Sequence, residues 1–267
     1  MWFVFHRGNL LVYNEQATPM LPMPSDVLSG ALEIDRAAAR FVGMLGNMPV
    51  WAARAGSAAA PRGHGFENMR ALFNRLPDDM LAIGGRAVQM LEFDRTHRFC
   101  GACATPTEIH EGGRSRKCPA CGETYYPKVS PAMMVIIKRD LPGGRELLLA
   151  RSGRFQRGMY SALAGFVEPS ESIEECIHRE ALEEVGVKVR DLRYFSSQGW
   201  PFPNSLMIAY VADYASGEIV PQEGEIEDAR WFTLDNLPVL PHRLSIARRL
   251  INSVIGEVAP DHPALGA

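Results

Sequence analysis

Two pairs of cysteines constrain the folding of this chain more than any other feature. The stretches "CGAC" and "CPAC" are separated by 14 residues. Each C-x-x-C turn can direct two sulfurs at one ion, and two such turns complete a tetrahedral site that leaves no position for water. A dithiol redox motif and an accidental grouping of cysteines are the alternatives. We predict one structural Zn²⁺ per chain, with the ligands Cys100, Cys103, Cys118 and Cys121.

Composition limits the class of protein. The chain has 267 residues, 46% of them hydrophobic, which is enough for one large domain or two to three small ones. A formal net charge of -3 excludes a whole-molecule basic field, so any contact with phosphate must be local. Apolar runs such as "MMVII" are far shorter than the roughly 20 residues of a membrane helix. The opening "MWFVFH" is typical of a strand rather than a signal peptide, and we expect a cytoplasmic protein without a membrane segment.

The second half of the chain carries strand patterns around one helix. "AMMVIIK" and "ELLLAR" have the composition of buried strands, joined as a hairpin by "RDLPGGR". "KVRDLRYFSSQ" and "SLMIAYVADY" predict two further strands, and "RLSIARRLINSVI" a closing amphipathic helix. We therefore predict a mixed α/β sandwich from about residue 128 onward.

The first third is harder to interpret. Apolar residues recur at three and four positions in "ENMRALFNRL" and "DDMLAIGGRAVQMLEF", which predicts two helices packed against a core. Two adjacent glycines weaken the second helix by about 1 kcal/mol each relative to alanine. We predict a smaller α+β domain over residues 1–95, a zinc ribbon over residues 96–127 and the sandwich domain over residues 128–267.

The stretch "GFVEPSESIEECIHREALEEVGV" gathers seven acidic and two basic side chains. Glu180, Glu183 and Glu184 stand at i, i+3 and i+4, so a helix places them on one face. A solvated helix face is the common reason for such a run. Like charges at this spacing repel, however, and hard divalent cations prefer oxygen ligands. We favour a binding site for divalent cations that bridge to substrate phosphates.

These residues resemble a known family. The stretch matches every fixed position of the Nudix box, G-x5-E-x7-R-E-U-x-E-E-x-G-U, where U is aliphatic: Gly165, Glu171, Arg179, Glu180, Glu183, Glu184 and Gly186. The resemblance implies a mixed-sheet α/β/α sandwich. Nudix proteins hydrolyse a nucleoside diphosphate linked to another group. The resemblance implies that Mg²⁺ or Mn²⁺ is held by Glu180, Glu184, Glu225 and the carbonyl of Ala164. It also implies that Glu184 orients or deprotonates water, with Glu183 as a ligand or supporting partner. For Glu225 the alternative is an ordinary loop glutamate among acidic neighbours.

A second stretch, "SQGWPFPNS", resembles the SQPWPFPxS motif of the NADH pyrophosphatase subgroup, with Gly199 where the family has proline. That subgroup also carries a four-cysteine ribbon directly before the equivalent of "ETYYP". The resemblance covers about residue 86 to the last helix. It implies cleavage of NAD(H) to nicotinamide mononucleotide and AMP, removal of NAD caps from RNA, and a homodimer.

The resemblance also implies a set of substrate-binding residues. Phe166 and Tyr126 offer aromatic surfaces on which bases can stack, with a place in the core as the alternative for either. The remaining candidates are Gln198, Gly199, Trp200, Pro201, Phe202, Pro203, Asn204, Ser205, Ala247 and, from a looser alignment, Arg70.

Three further interpretations concern neighbouring residues. Arg179 is expected to pair with a box carboxylate such as Glu171, and Cys176 to be a small helix residue rather than a nucleophile. A Nudix hydrolase of another dinucleotide, such as ADP-ribose, is one alternative. A ribbon protein that binds nucleic acid through "RSRK" at residues 114–117 is another, but it would require loss of box carboxylates, and none is missing.

Overall fold

The chain folds into two units, each with its own sheet. The computed structural model describes residues 1–15, 20–28, 30, 32–73 and 75–266. The first unit comprises Met1–Lys128 together with Pro201–Asn204, and the second comprises Val129–Trp200 and Ser205–Ala267. The three-domain division drawn from the sequence stays a prediction.

The first unit is built on a five-stranded sheet. Its elements are β1 (Trp2–His6), β2 (Asn9–Tyr13), α1 (Pro24–Leu28), β3 (Arg40–Leu45), β4 (Met48–Arg54), β5 (His64–Asn68) and α2 (Asp78–Thr96). The strand order is β3-β4-β1-β2-β5, with β1 parallel to β4 and the other pairs antiparallel. The central three residues of both β1 and β2 are buried, so the core of this unit lies at the middle of the sheet.

One of the two predicted helices in this unit is confirmed and the other is wrong. Helix α2 contains the two adjacent glycines, and a Cβ on Gly84 would lie 2.9 Å from Met69 Cε and 3.1 Å from Phe3 Cε1. Glycine is a weak helix former, and it is present at position 84 because Phe3 of β1 and Met69 leave no room for a side chain. The stretch predicted as the first helix is instead the end of β5 and a 3₁₀ turn, Met69–Leu72. Asn68 keeps an extended backbone and its side chain caps the amide of Arg70, which starts the turn late.

The cysteine segment follows α2 and adds a small antiparallel sheet. Its strands are β6 (Glu108–His110), β7 (Ser115–Lys117) and β8 (Thr124–Tyr125), in that order. So short a sheet buries little apolar surface, so this segment depends on its cysteines for stability.

The second unit contains a six-stranded mixed sheet and two helices. Its elements are β9 (Ser130–Leu141), β10 (Gly144–Ser152), β11 (Leu163–Phe166), α3 (Ile173–Val185), β12 (Lys188–Trp200), β13 (Ser205–Ser216), β14 (Ile226–Thr233) and α4 (Ile246–Gly256). The strand order is β12-β13-β9-β10-β14, and β11 pairs with β9. Strands β9 and β13 are parallel, and the predicted hairpin of β9 and β10 is confirmed.

Alternation along the central strands sends side chains to opposite faces of this sheet. Met133, Val135 and Ile137 of β9 join a buried cluster that includes the apolar side of α3. Met134 and Ile136 join a second cluster, which includes the apolar side of α4. Because residues one apart on a strand point to opposite faces, one continuous apolar run supplies both cores. The predicted α/β/α sandwich is confirmed.

Two strands of this sheet have no counterpart in the sequence predictions. Strand β11 is only four residues long, and β14 mixes charged with apolar residues along an edge of the sheet. Neither segment has the uninterrupted apolar composition by which β9 and β10 were found.

Within the described part of the chain, no helix has both the length and the apolar composition to cross a bilayer.

Candidate active site on helix α3

Helix α3 has well-defined ends. At its start the Ser172 side chain accepts a hydrogen bond from the amide of Glu175, and the Glu175 carboxylate accepts one from the amide of Ser172. This reciprocal cap satisfies two helix-end donors. At its end Gly186 has a φ of 75°, and a Cβ there would lie 2.8 Å from the carbonyl oxygen of Glu218. The last fixed glycine of the box therefore ends the helix where a side chain would not fit.

The three box carboxylates on this helix differ in exposure. Cys176, Ile177, Ala181 and Val185 face the core and are fully buried. Beside them, Glu184 is 7% exposed, whereas the side chains of Glu180 and Glu183 are 13% and 52% exposed. Ionisation of Glu184, at the edge of the apolar core, therefore carries a desolvation cost. Ionisation of the exposed Glu183 does not.

Glu184 is the most perturbed acid of the site. Burial raises the pKa of its carboxyl to about 8, and the charges of Glu180, Glu225 and Glu183 add to the rise. Its Oε2 atom is buried without a hydrogen-bond partner among the described residues. A buried carboxylate oxygen with no donor, surrounded by other carboxylates, suits a divalent cation, which supplies the missing positive charge. The chemistry of these donors therefore fits a divalent cation.

Glu225 lies outside the helix but is brought to it by the backbone. The carbonyl of Glu184 accepts a hydrogen bond from the amide of Gln222 at 2.9 Å, and the amide of Glu225 donates to the carbonyl of Gln222. The turn before β14 is thereby fastened to the end of α3. The charge of Glu225 raises the pKa of both Glu180 and Glu184, so the structure brings the three predicted carboxylate ligands into one electrostatic cluster.

Strand β11 borders the same cluster. A Cβ built on Gly165 would lie only 2.0 Å from Oε1 of Glu180, so the first glycine of the box makes room for this carboxylate. Ala164 precedes it on the strand, paired with Met134 of β9. The use of the Ala164 carbonyl as a metal ligand stays a prediction.

Arg179 connects the loop before α3 to the helix. Its guanidinium donates to both carboxylate oxygens of Glu171, at 2.7 and 2.9 Å, which confirms the predicted pair. It also donates to Glu180 at 2.9 Å, to Glu183 at 3.0 Å and to the carbonyl of Phe166 at 3.1 Å. One side chain therefore fixes the strand, the loop and two carboxylates of the site, and a fork of five N–H donors is suited to this.

Cys176, on the core side of α3, is fully buried. Its burial raises the pKa of the thiol to about 12, and the thiol donates to the carbonyl of Phe166 at 3.4 Å. A thiol that remains protonated is a poor nucleophile. The interpretation of Cys176 as a packing residue is consistent with this environment.

The four ribbon cysteines form a much tighter group than the carboxylates. Their Sγ atoms all lie within 4.8 Å of one another, the only such set of metal-ligating atoms in the described ranges. The distances from Cys103 to Cys118 and Cys121 are 3.5 and 3.6 Å. Sulfurs around one tetrahedral zinc, with bonds of about 2.3 Å, stand about 3.8 Å apart. The cluster therefore fits Zn²⁺ with little movement.

The two knuckles of the ribbon share one backbone geometry. The amide of Cys100 donates to the carbonyl of Thr105, and that of Cys118 to the carbonyl of Glu123, both at 2.8 Å. Ala104 and Gly122, each the first residue after a knuckle, have φ values of 60° and 81°. This repetition shows that the segment is built around the sulfurs rather than around an apolar core.

The predicted substrate residues of the second unit are placed on its strands and on α4. Phe166 is 58% exposed on β11, which leaves its ring available for stacking. Gln198 is already engaged: its amide group donates to the carbonyl of Leu244 at 2.9 Å and accepts from the amide of Ile246 at 2.7 Å. Ala247 is 5% exposed and packs in the α4 core. Gly199 and Trp200 end β12, and Ser205, which is buried, begins β13.

The remaining candidates belong to the first unit. The guanidinium of Arg70 lies over the ring of Phe202, 4.6 Å from its centroid. The carbonyl of Pro203 accepts from Gln89 of α2 at 3.3 Å, and the side chain of Asn204 donates to the carbonyl of Lys128. Tyr126 is 59% exposed. Roles of these residues in substrate binding stay predictions.

Sequence reasoning missed one residue that supports this loop. A Cβ on Gly85 of α2 would lie 2.6 Å from Cγ of Pro201, so this glycine admits the proline ring. The two adjacent glycines were visible in the sequence as weak points of a helix. The side chains for which they leave room were not visible, because those side chains come from other parts of the chain.

A six-stranded mixed sheet between two helices, with a carboxylate-lined strand, loop and helix, defines the class as Nudix hydrolase. The NUDIX domain family matches residues 129–252 of this chain. The NADH pyrophosphatase zinc ribbon domain matches residues 95–126, and the NADH pyrophosphatase-like rudimentary NUDIX domain matches residues 1–92.

Relatives with known names extend these matches along almost the whole chain. A protein of Chromobacterium violaceum named NAD-capped RNA hydrolase NudC is 49% identical over 94% of this chain and 89% of its own length. Proteins of the same name from Deinococcus radiodurans and Stutzerimonas stutzeri are 48% and 47% identical, over 96% and 94% of this chain and 87% and 88% of their own lengths. The chain belongs to the Nudix family.

Proposed function

We propose that this protein hydrolyses the pyrophosphate of NAD(H) to nicotinamide mononucleotide and AMP, and removes NAD caps from the 5′ ends of RNA. The observation that carries the proposal is the buried, unpartnered carboxylate oxygen of Glu184 within a cluster formed with Glu180 and Glu225. The substrate is supported by 49% identity to a relative named NAD-capped RNA hydrolase. The "SQGWPFPNS" motif supports the same substrate.

The carboxylates of Glu180, Glu184 and Glu225 would hold Mg²⁺ or Mn²⁺, which supplies neutralisation of the two phosphate charges when bound. Glu184 orients the attacking water and takes its proton. The water oxygen forms a bond to one phosphorus while the bond from that phosphorus to the bridging oxygen breaks. The departing phosphate leaves with the electron pair. Arg179 keeps the carboxylates in register through its contacts with Glu171, Glu180 and Glu183.

A chromatographic assay tests the substrate. We expect NADH to give AMP and reduced nicotinamide mononucleotide, and NAD-capped RNA to give nicotinamide mononucleotide and 5′-monophosphate RNA. ADP-ribose should be cleaved more slowly, and triphosphate-capped RNA should remain intact. Cleavage of ADP-ribose with NADH and NAD-capped RNA untouched would contradict the substrate while leaving the hydrolase class in place.

The proposal includes a homodimer, which the family resemblance supports. It also includes a cytoplasmic location, because four cysteines spaced for zinc suit a reducing compartment. Sedimentation equilibrium of the purified chain checks the assembly. A single species at the mass of 29.5 kDa across micromolar concentrations would contradict the dimer.

A further inference from the structure

The first unit contains a cavity of about 500 Å³ whose lining includes five arginines. The only acidic residues in its lining are Asp35 and Asp94. Its five arginines come from the first sheet, from the region around the end of α2 and from the ribbon: Arg40, Arg54, Arg95, Arg98 and Arg116. None of the residues assigned above to catalysis or zinc lines it.

Two of these arginines are held in place by one aspartate. Asp94 accepts from Arg40 at 2.9 Å and from Arg116 at 3.1 Å. Arg116 also donates to the hydroxyl and the carbonyl of Thr107, at 2.8 and 2.9 Å. Both arginine side chains are only 13% exposed. One carboxylate thus fixes two guanidinium groups and neutralises one of them.

A second pair is arranged in the same way. Arg54 and Arg95 both contact the carboxylate of Glu92, which is not part of the cavity lining. Arg54 also donates to the carbonyl of Leu91 at the last turns of α2, where cations are favoured by the helix dipole. Helix capping and ion pairing therefore explain Arg54 and Arg95 in part.

Arg98 has no such explanation. It is exposed, and its guanidinium has no ion pair or hydrogen bond with any residue in the described ranges. Asp35, the other acid of the lining, is turned to its own loop, where it accepts from the amides of Ala37 and Ala38 at 3.1 and 3.2 Å. Even with Glu92 counted, the five arginines exceed the nearby acids by two charges.

We propose that this cavity binds phosphate groups of a polyanion, with Arg98 as the unpaired contact and with Arg40 and Arg116 as fixed ones. Guanidinium groups match phosphate oxygens in shape and charge, and the ion pairs to Asp94 use only some of their five N–H donors. The phosphates are those of single-stranded RNA or of a free oligophosphate. Binding at this cavity does not require hydrolysis, so this proposal is independent of the proposed activity.

The location differs from the basic patch that the sequence suggested. In "RSRK", the side chain of Arg116 is held at the cavity by Asp94 and Thr107. Arg114 is exposed, and its side chain has no hydrogen bond or ion pair with the described residues. These two arginines, two positions apart, therefore have different environments. Arg114 provides a control with the same charge outside the cavity.

The test measures binding by the full chain without added divalent metal. The probes are a fluorescent single-stranded RNA with a 5′ monophosphate, followed by anisotropy, and inorganic tripolyphosphate, followed by calorimetry. We expect Arg98→Gln to weaken binding about tenfold. For RNA, the variant should also lower the slope of log affinity against log salt by about 0.7, the value of one phosphate contact on a single strand. Arg114→Gln, which removes the same charge, should change affinity less than twofold.

If Arg98→Gln loses only RNA binding, the cavity binds the RNA backbone. If it loses only tripolyphosphate binding, the cavity binds a free oligophosphate. Loss of both shows that the cavity accepts phosphates from both sources. Equal losses in the two variants, or none in Arg98→Gln, would overturn the proposal. Hydrolysis of free NADH by Arg98→Gln should equal that of the unmodified chain. Absence of NADH hydrolysis in both proteins would instead count against the proposed function, leaving the binding result intact.

Discussion

Gly165 lies directly against the carboxylate of Glu180, so that a Cβ on the glycine would stand 2.0 Å from Oε1 and 2.1 Å from Cδ of that side chain. The glycine has no left-handed backbone angle to require it. Its role is to leave space, which couples a strand residue of the box to a carboxylate 15 positions later on the helix.

The first prediction follows from that contact. Gly165→Ala should move the Glu180 carboxylate out of its place and lower kcat/KM for NADH at least about tenfold, because displacement of a reacting group by about 1 Å can cost a hundredfold. The measurement is steady-state hydrolysis with Mg²⁺ or Mn²⁺, alongside a thermal melt. Gly143→Ala is the control, since its Cβ would meet nothing within 4 Å. Equal activity in both variants would contradict the assigned role of Gly165.

The second prediction concerns Glu184. Glu184→Gln keeps the shape of the side chain but removes the anionic ligand and the base, so turnover should fall at least about a hundredfold. Because burial disfavours the ionised form of this carboxyl, its replacement by a neutral amide should leave the melting temperature unchanged or higher. Glu218→Gln, at an exposed acid beyond the helix, is the matched control. Near-normal hydrolysis by Glu184→Gln would move the essential role to Glu180, Glu183 or Glu225.

The third prediction concerns zinc. Protein purified without added zinc should contain about one equivalent per chain, because four thiolates complete the coordination. Cys118→Ser, at a fully buried ligand, should lose the metal and increase proteolysis within residues 96–127. Elemental analysis and limited proteolysis measure both. A metal-free chain with four reactive thiols and an intact ribbon would exclude the structural role.

The fourth prediction concerns acid stability. The Arg179 guanidinium lowers the pKa of Glu171 to about 2, from an ordinary value of 4.5. Because the folded pKa is the lower one, the ionised carboxylate stabilises the fold above about pH 4.5, and this contribution is lost as the pH falls toward 2. The difference in melting temperature between the unmodified chain and Glu171→Gln should therefore be constant near neutrality and shrink between pH 4.5 and 2. A difference independent of pH would show that the pair does not contribute through its charge.

The spacing of residues close together in the sequence was enough to predict part of the fold and of the site. The sequence alone determined the four sulfur ligands, the helix face with its three carboxylates and the buried strands β9 and β10. In each case, residues close in sequence are also neighbours in space. A C-x-x-C turn, an i, i+3, i+4 face and an apolar run carry their geometry with them.

Long-range packing decided the rest. Only the tertiary structure showed that Gly165 makes room for Glu180, that Gly85 makes room for Pro201 and that the turn before β14 fastens Glu225 to the end of α3. The same holds for the arginine cavity, whose five arginines lie between positions 40 and 116. Such pairs join segments far apart in the chain. Their approach is set by the registers and packing of the sheets and helices, for which a single sequence carries no local periodic signal.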